Sequence, residues 1–309
     1  MTGLQRMSGV LSPVVTPFKA DLSVDARRLI DQCRWLLTQD CGLAVFGTNS
    51  EANSLSADEK IGLLDALVDG GIDTARMMPG TGACSIPETV ALSAHAVKLG
   101  CAGVLMLPPF YYKGVGDDGL YRHFAEVIER VGDARLKIYL YHIPPMSQVP
   151  ITLDLIEMLI ADYPDIVVGI KDSSGEWANT KAMLDRRWPD FAVFSGNETT
   201  LLQNLRNGGA GCISATANVN PGAIAKLCHE WRNADAEAQQ AALTELRTTV
   251  AGFPMIPALK EIVAHYADDP AWATVRPPLM PLSAVQRSGL LSKLADLNFG
   301  MPGLAAAYA

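Results

Sequence analysis

The chain has no excess of positive charge, no long apolar run and few histidines. It holds 25 Lys and Arg against 33 Asp and Glu, for a formal net charge of −8 at pH 7. That excludes a protein built to neutralise nucleic-acid phosphates, which needs a basic face. No apolar stretch approaches the ~18 residues of a membrane span. The first residues, MTGLQRMSGVLSPV, lack the apolar core of a secretory signal. These absences lead us to expect a cytoplasmic protein with neither a nucleic-acid nor a membrane partner. The six cysteines, at 33, 41, 84, 101, 212 and 228, form no C-x-x-C pair. In a chain this long they read as reduced, mostly buried thiols. Of the five histidines, His95, His123, His229 and His265 fall on helical patterns, which leaves only His142 near a strand end. A metal site needs clustered ligands, so no metal is expected, and no other cofactor is implied. A dinucleotide fingerprint is also missing. GTGACS (80–85) breaks G-x-G-x-x-G at Ser85 and reads as an ordinary loop between a strand and a helix.

What is present is a rhythm. The 309 residues are 49% hydrophobic, enough for a large core. Short β-branched runs recur at 9–18, 43–48, 75–82, 102–109, 136–144, 166–172, 191–197 and 210–216. Amphipathic stretches such as 25–37, 56–68, 86–98, 117–131 and 153–161 separate them. The spacing of roughly 20–35 residues is that of a strand–helix unit. Strands apolar on both faces suit a parallel sheet covered by helices. Eight such units predict an α/β fold, a (β/α)8 TIM barrel of about 250 residues. An open doubly wound sheet rarely needs so many units. Residues 1–233 are expected to form the barrel. Residues 234–309 are expected to form a C-terminal helical extension, with AEAQQAALTELRTTV, IPALKEIVAHYA and LSAVQRSGLLSKLADL as its helices and PGLAAAYA as a loose or docked tail.

In such barrels the C-terminal strand ends build the active site. They carry Thr48 to Glu51, Thr81, Phe110 to Tyr112, Tyr141-His142, Lys171-Asp172, Asn197-Glu198 and Ile213-Ser214. The run IVVGIKD ends in Lys171, although an ammonium without a partner is costly to bury. Alternation places Gly169 one layer below it, where the missing side chain would leave room for the lysine stem. A desolvated amine loses part of its preference for the proton and becomes a nucleophile. The chemistry that uses one is imine formation with a carbonyl, followed by making or breaking the adjacent carbon–carbon bond. Tyr141, on the neighbouring strand end, is the nearest candidate to move protons. In the other reading, Lys171 reaches past the strand end to a surface carboxylate such as Asp172.

The segments GTNSEA (47–52), PPFYY (108–112), YLYHIP (139–144), GIKDSSG (169–175) and GCISATANV (211–219) together resemble the dihydrodipicolinate synthase / N-acetylneuraminate lyase family, whose members are class I aldolases. The resemblance runs along nearly the whole chain. It implies a 2-oxo acid such as pyruvate held as an imine on Lys171, with Tyr141 as proton relay and Thr48 joining that relay. It implies that Tyr111 is contributed by a neighbouring subunit of a homotetramer, a dimer of dimers. Thr48 and Asn49 match the grip on the 2-oxo acid carboxylate. Ile213 matches the apolar residue beside pyruvate.

Three departures bear on the substrate. GTNSE has Asn49, as in 4-hydroxy-2-oxoglutarate aldolases, and Ser50 where the family commonly has glycine. The synthases carry an arginine five residues after the relay tyrosine, and here that position is Met146. An apolar contact replaces a bidentate carboxylate clamp, and Lys113 would compensate only by reaching inward. Asn197 and Glu198 match the positions that bind sugar hydroxyls in sialate lyases, although Asn197 equally suits a helix cap. Tyr112 and Trp177 permit an aromatic substrate or simple packing. The expected function is a pyruvate- or 2-oxo-acid-dependent lyase whose second substrate is not aspartate semialdehyde. The alternatives are a dehydratase of a 2-oxo-3-deoxy acid through the same imine, a true 4-hydroxy-tetrahydrodipicolinate synthase, or a non-catalytic pyruvate-binding protein.

Overall fold

The structure, a computed structural model, describes residues 6–308. Among them are seven parallel strands: β1 (Gly9–Ser12), β2 (Gly42–Leu43), β3 (Val104–Met106), β4 (Ile138–His142), β5 (Val167–Asp172), β6 (Ala192–Ser195) and β7 (Gly211–Ile213). Helices alternate with them, so the chain is α/β. Every residue of β3 to β7 is buried, as expected of parallel strands apolar on both faces. The chain folds into two compact units. The first comprises the described residues up to Gly9 together with Thr74–Ile213; the second comprises Val10–Asp73 and the described residues from Ser214 onward.

In the first unit the strands lie in the order β7-β6-β5-β4-β3. β4 and β5 pair with Tyr139 opposite Gly169, Tyr141 opposite Lys171 and His142 opposite Asp172. Glycine is required at 169. A Cβ there would come within 2.6 Å of both Ala192 O and the Tyr139 ring. The space beside Gly169 is therefore taken by the ring of its cross-strand partner rather than by the lysine stem. Tyr139 also accepts the Met7 amide at 3.0 Å through its hydroxyl, which ties the N-terminal segment to the sheet.

The strand expected over 75–82 is not formed. Thr74–Arg76 is a 3-10 turn, and only a single bridge, Gly80 to Leu105, joins the segment to β3. Pro79 has no N–H to donate and glycines stand at 80 and 82, so a ladder cannot propagate. The expected strand at 9–18 stops at Ser12, before Pro13, for the same reason. At 43–48, Phe46 turns left-handed (φ 62°) and Thr48 enters a 3-10 turn, which leaves β2 two residues long.

In the second unit β1 pairs with β2, and helices form where the amphipathic pattern predicts. Helix Ala26–Thr38 is capped by Asp25, which accepts the Arg28 amide. Helix Ala57–Asp69 starts from a capping box between Ser56 and Glu59. The C-terminal helices are Ala236–Ala251, Met255–Tyr266 and Ala284–Asp296. The tail is docked: Leu304 is buried, and Tyr308 donates its hydroxyl to Gln32 at 2.8 Å. The second unit thus unites N-terminal strand–helix pairs with the C-terminal helices. Cys33, Cys41 and Cys212 are buried and Cys84 is exposed. No described helix is long and apolar enough to cross a membrane.

Candidate active site

The first unit places Lys171 and Tyr141 side by side at the ends of β5 and β4. The lysine is 2% exposed, and its Nζ lies 4.3 Å from the centroid of the Tyr141 ring. An aromatic face attracts a cation, but weakly compared with the hydration an ammonium gives up. No carboxylate among the described residues pairs with Lys171. Asp172 does not serve that purpose, because its carboxylate is committed elsewhere. One oxygen accepts the Ser174 amide at 3.0 Å and the other accepts the Thr180 hydroxyl at 2.6 Å. Alternation turns Asp172 to the opposite face of the strand, which removes the reading in which Lys171 reaches past the strand end to it.

His142 shares that opposite face. Its Nδ1 accepts the Ile151 amide at 2.9 Å, which leaves its proton on Nε2, 4.0 Å from Asp172. Burial lowers the imidazole pKa below its ordinary 6.5, and Asp172 only partly opposes this. His142 is held as a neutral acceptor that fixes the loop after β4. Among the described residues no three His, Cys, Asp or Glu side chains are grouped to hold a metal ion.

The other expected site residues of this unit have different surroundings. Ile213 closes β7 and is buried. Tyr111 is 75% exposed and packs edge-on against Tyr112 with ring centroids 5.4 Å apart. Met146 is 66% exposed, on the short helix Pro144–Ser147. Lys113 binds these two loops together. Its ammonium donates to the carbonyls of Phe110 and, at 2.7 Å, of Ser147. Asn197 acts as a cap: its side-chain oxygen accepts the Thr199 amide at 2.9 Å. Glu198 is fully buried.

In the second unit Thr48 and Asn49 open the 3-10 turn Thr48–Ser50. The serine that replaces a glycine costs no strain, because the left-handed residue is its neighbour Glu51 (φ 56°, ψ 33°). Ser50 adds to the turn by accepting the Gly47 amide on its hydroxyl at 3.1 Å. Thr16 donates its hydroxyl to the Ser50 carbonyl at 2.7 Å. Directly beyond the turn lies a pair that sequence reasoning missed. Glu51 and Lys260 form a fully buried ion pair. Burial pushes Lys260 down to about 8, against the pull of Glu51. The signal was a lysine inside the apolar run IPALKEIVA, the same anomaly that marked Lys171.

The chain matches the profile described as "Dihydrodipicolinate synthetase family" over residues 6–296. It is 34% identical over 281 residues to an uncharacterized DapA-like lyase of Chloroflexus aurantiacus, a match that covers 89% of this chain and 92% of that one. Among solved structures it resembles dihydrodipicolinate synthase from Agrobacterium tumefaciens, with a TM-score of 0.86 and 32% identity, over 94% of this chain and 99% of that one. It also resembles YagE, a prophage protein of E. coli K12 solved in complex with pyruvate, with a TM-score of 0.87 and 28% identity, over the same shares of 94% and 99%. The chain belongs to the dihydrodipicolinate synthetase family and is a lyase.

Proposed function

We propose that this lyase is a class I aldolase of pyruvate or a closely related 2-oxo acid, working through an imine on Lys171 in a (β/α)8 barrel formed by residues 1–233. The observation that carries this reading is the burial of Lys171 beside Tyr141 with no carboxylate to pair it. A buried amine in that setting is a nucleophile suited to a carbonyl. The amine adds to C2 of the 2-oxo acid and water leaves, giving an iminium. For a 4-hydroxy-2-oxo acid, a base removes the hydroxyl proton and the C3–C4 bond breaks. Its electron pair passes to the iminium nitrogen and an aldehyde departs. Protonation of the enamine at C3 and hydrolysis then release the 2-oxo acid and restore the lysine.

In this reading Tyr141 carries the protons, with Thr48 and a neighbouring subunit's Tyr111 completing the relay in a cytoplasmic homotetramer. Thr48 and Asn49 take the carboxylate of the 2-oxo acid, and Ile213 meets its apolar end. Asn197 and Glu198 are assigned to hydroxyls of the second substrate, and Met146 makes an apolar contact with it. Residues 234–309 serve as a helical extension, and the chemistry requires no cofactor. Incubation with a panel of 4-hydroxy-2-oxo acids, with product analysis, tests the reading. It predicts release of pyruvate and an aldehyde. Loss of water with the carbon skeleton intact would assign a dehydratase instead.

A further inference from the structure

The buried pair Glu51–Lys260 lies directly behind the turn that carries Thr48 and Asn49. Lys260 projects from helix Met255–Tyr266, and its side chain has no exposure at all. Each hydrogen of its ammonium has a direction. One bonds the Glu51 carboxylate, one bonds the Thr274 carbonyl at 2.8 Å, and the Phe18 ring lies 4.3 Å from Nζ. The second Glu51 oxygen accepts the Arg276 backbone amide at 3.0 Å. The Arg276 guanidinium is engaged elsewhere, on Glu59 at 2.9 Å, Ser54 O at 2.6 Å and Leu22 O at 2.8 Å. Lys260 is therefore the cation that meets the Glu51 carboxylate.

Glu51 also closes the turn, because its amide donates to the Thr48 carbonyl at 3.1 Å. It does so in a left-handed conformation that a non-glycine residue adopts only under constraint. A buried ion pair is a poor source of net stability, since desolvation offsets most of its attraction. What it does supply is direction. A carboxylate held at both oxygens fixes the backbone from which it projects.

We propose that Lys260 is a positioning residue, which through Glu51 sets the Thr48–Asn49 turn for the carboxylate of the 2-oxo acid. The inference rests on the reading of Thr48 and Asn49 as the carboxylate site. It makes the C-terminal helices part of substrate selection rather than a passive extension.

The test compares pyruvate with methyl pyruvate, which offers the same ketone without the negative charge. Borohydride trapping at Lys171 is measured against the concentration of each ligand. The proteins are wild type, Lys260→Met, Glu51→Gln and the double variant, which buries no charge and guards against misfolding of the single ones. Each variant is expected to need about tenfold more pyruvate for half-maximal trapping, the loss of roughly one charge-assisted hydrogen bond. Half-saturation by methyl pyruvate is expected to stay within about twofold of wild type, since a factor of two is under 0.5 kcal/mol. Equal weakening of both ligands, no weakening of either, or failure of all three variants to fold would make the pair a stability element and overturn the proposal. A wild type that traps neither ligand would instead overturn the functional reading on which it rests.

Discussion

Lys171 and Tyr141 are cross-strand partners, and the register of β4 against β5 holds the amine 4.3 Å from the centroid of the phenol ring. The relationship depends on their neighbours one layer back. Tyr139 and Gly169 are likewise opposite each other, with the Tyr139 ring lying where a Gly169 side chain would be. A slip of one residue in either strand would turn Tyr141 or Lys171 to the other face of the sheet.

Tyr141→Phe retains the ring beside Lys171 and removes only the hydroxyl. Turnover is expected to fall by about 10²–10⁴-fold, the usual share of a proton-transfer group. Borohydride trapping of the imine, read at its end point, is expected to persist. Full turnover in the variant would remove Tyr141 from the relay.

Gly169→Ala tests the layer behind the site. The new methyl would meet backbone at Ala192 O as well as the Tyr139 ring, both at 2.6 Å. Backbone cannot step aside as a flexible side chain can, so a loss of about 1–3 kcal/mol in unfolding free energy is expected. Denaturant unfolding measures it, and an unchanged midpoint would contradict this packing.

Met146→Arg tests the absence of a carboxylate clamp. An aldehyde bearing a second carboxylate must desolvate that charge, and a thioether offers it no hydrogen bond. Lys113 does not fill the gap, because its ammonium is engaged by the carbonyls of Phe110 and Ser147. Wild type is expected to condense pyruvate with aspartate semialdehyde poorly, and Met146→Arg to raise kcat/KM by about one to two orders of magnitude. A wild-type kcat/KM near 10⁴ M⁻¹s⁻¹, which lies in the ordinary enzymatic range, would sink the prediction.

His142 gives stability a pH dependence on the acid side. Its folded pKa lies below the ordinary 6.5 because burial disfavours the imidazolium. Above about pH 6.5 neither the folded nor the unfolded state carries this proton, and the full contribution is present. As the pH falls below that, the unfolded chain takes up the proton first, and stability declines until the folded pKa is passed. His123, also lowered by burial, acts in the same direction. His142→Asn keeps an acceptor for the Ile151 amide without the titration. Thermal unfolding between about pH 7.5 and pH 5 should therefore show a smaller loss in the variant than in wild type. Equal losses would show that another group governs this range.

The strand ends are legible in the sequence because burial and charge conflict there. Lys171 at the end of an apolar run, and Tyr141 at the end of the preceding strand, are anomalies that need no partner to be noticed. Strand lengths are less legible. Pro13 and Pro79 remove ladder donors, and Phe46 takes a left-handed conformation that the apolar pattern conceals. The cap at Asn197 is a matter of local preference, because the amide it accepts lies two residues away at Thr199. The Glu51–Lys260 pair is not local, since its members are 209 residues apart. A lysine on a helix ordinarily reads as exposed. The apolar run IPALKEIVA around Lys260 is the one hint that it is not, and no periodicity names its partner.

The most direct measurement is the site of borohydride labelling with pyruvate, read by peptide mass. Lys171 and Lys260 are the two most deeply buried lysines among the described residues, and they compete for the role. Lys171 faces an aromatic ring with no carboxylate, whereas Lys260 is locked to Glu51. A covalent adduct is expected on the peptide containing Lys171, none on the peptide containing Lys260, and no labelling in Lys171→Ala. An adduct on any other lysine of wild type, or labelling that survives Lys171→Ala, would contradict an imine mechanism at Lys171.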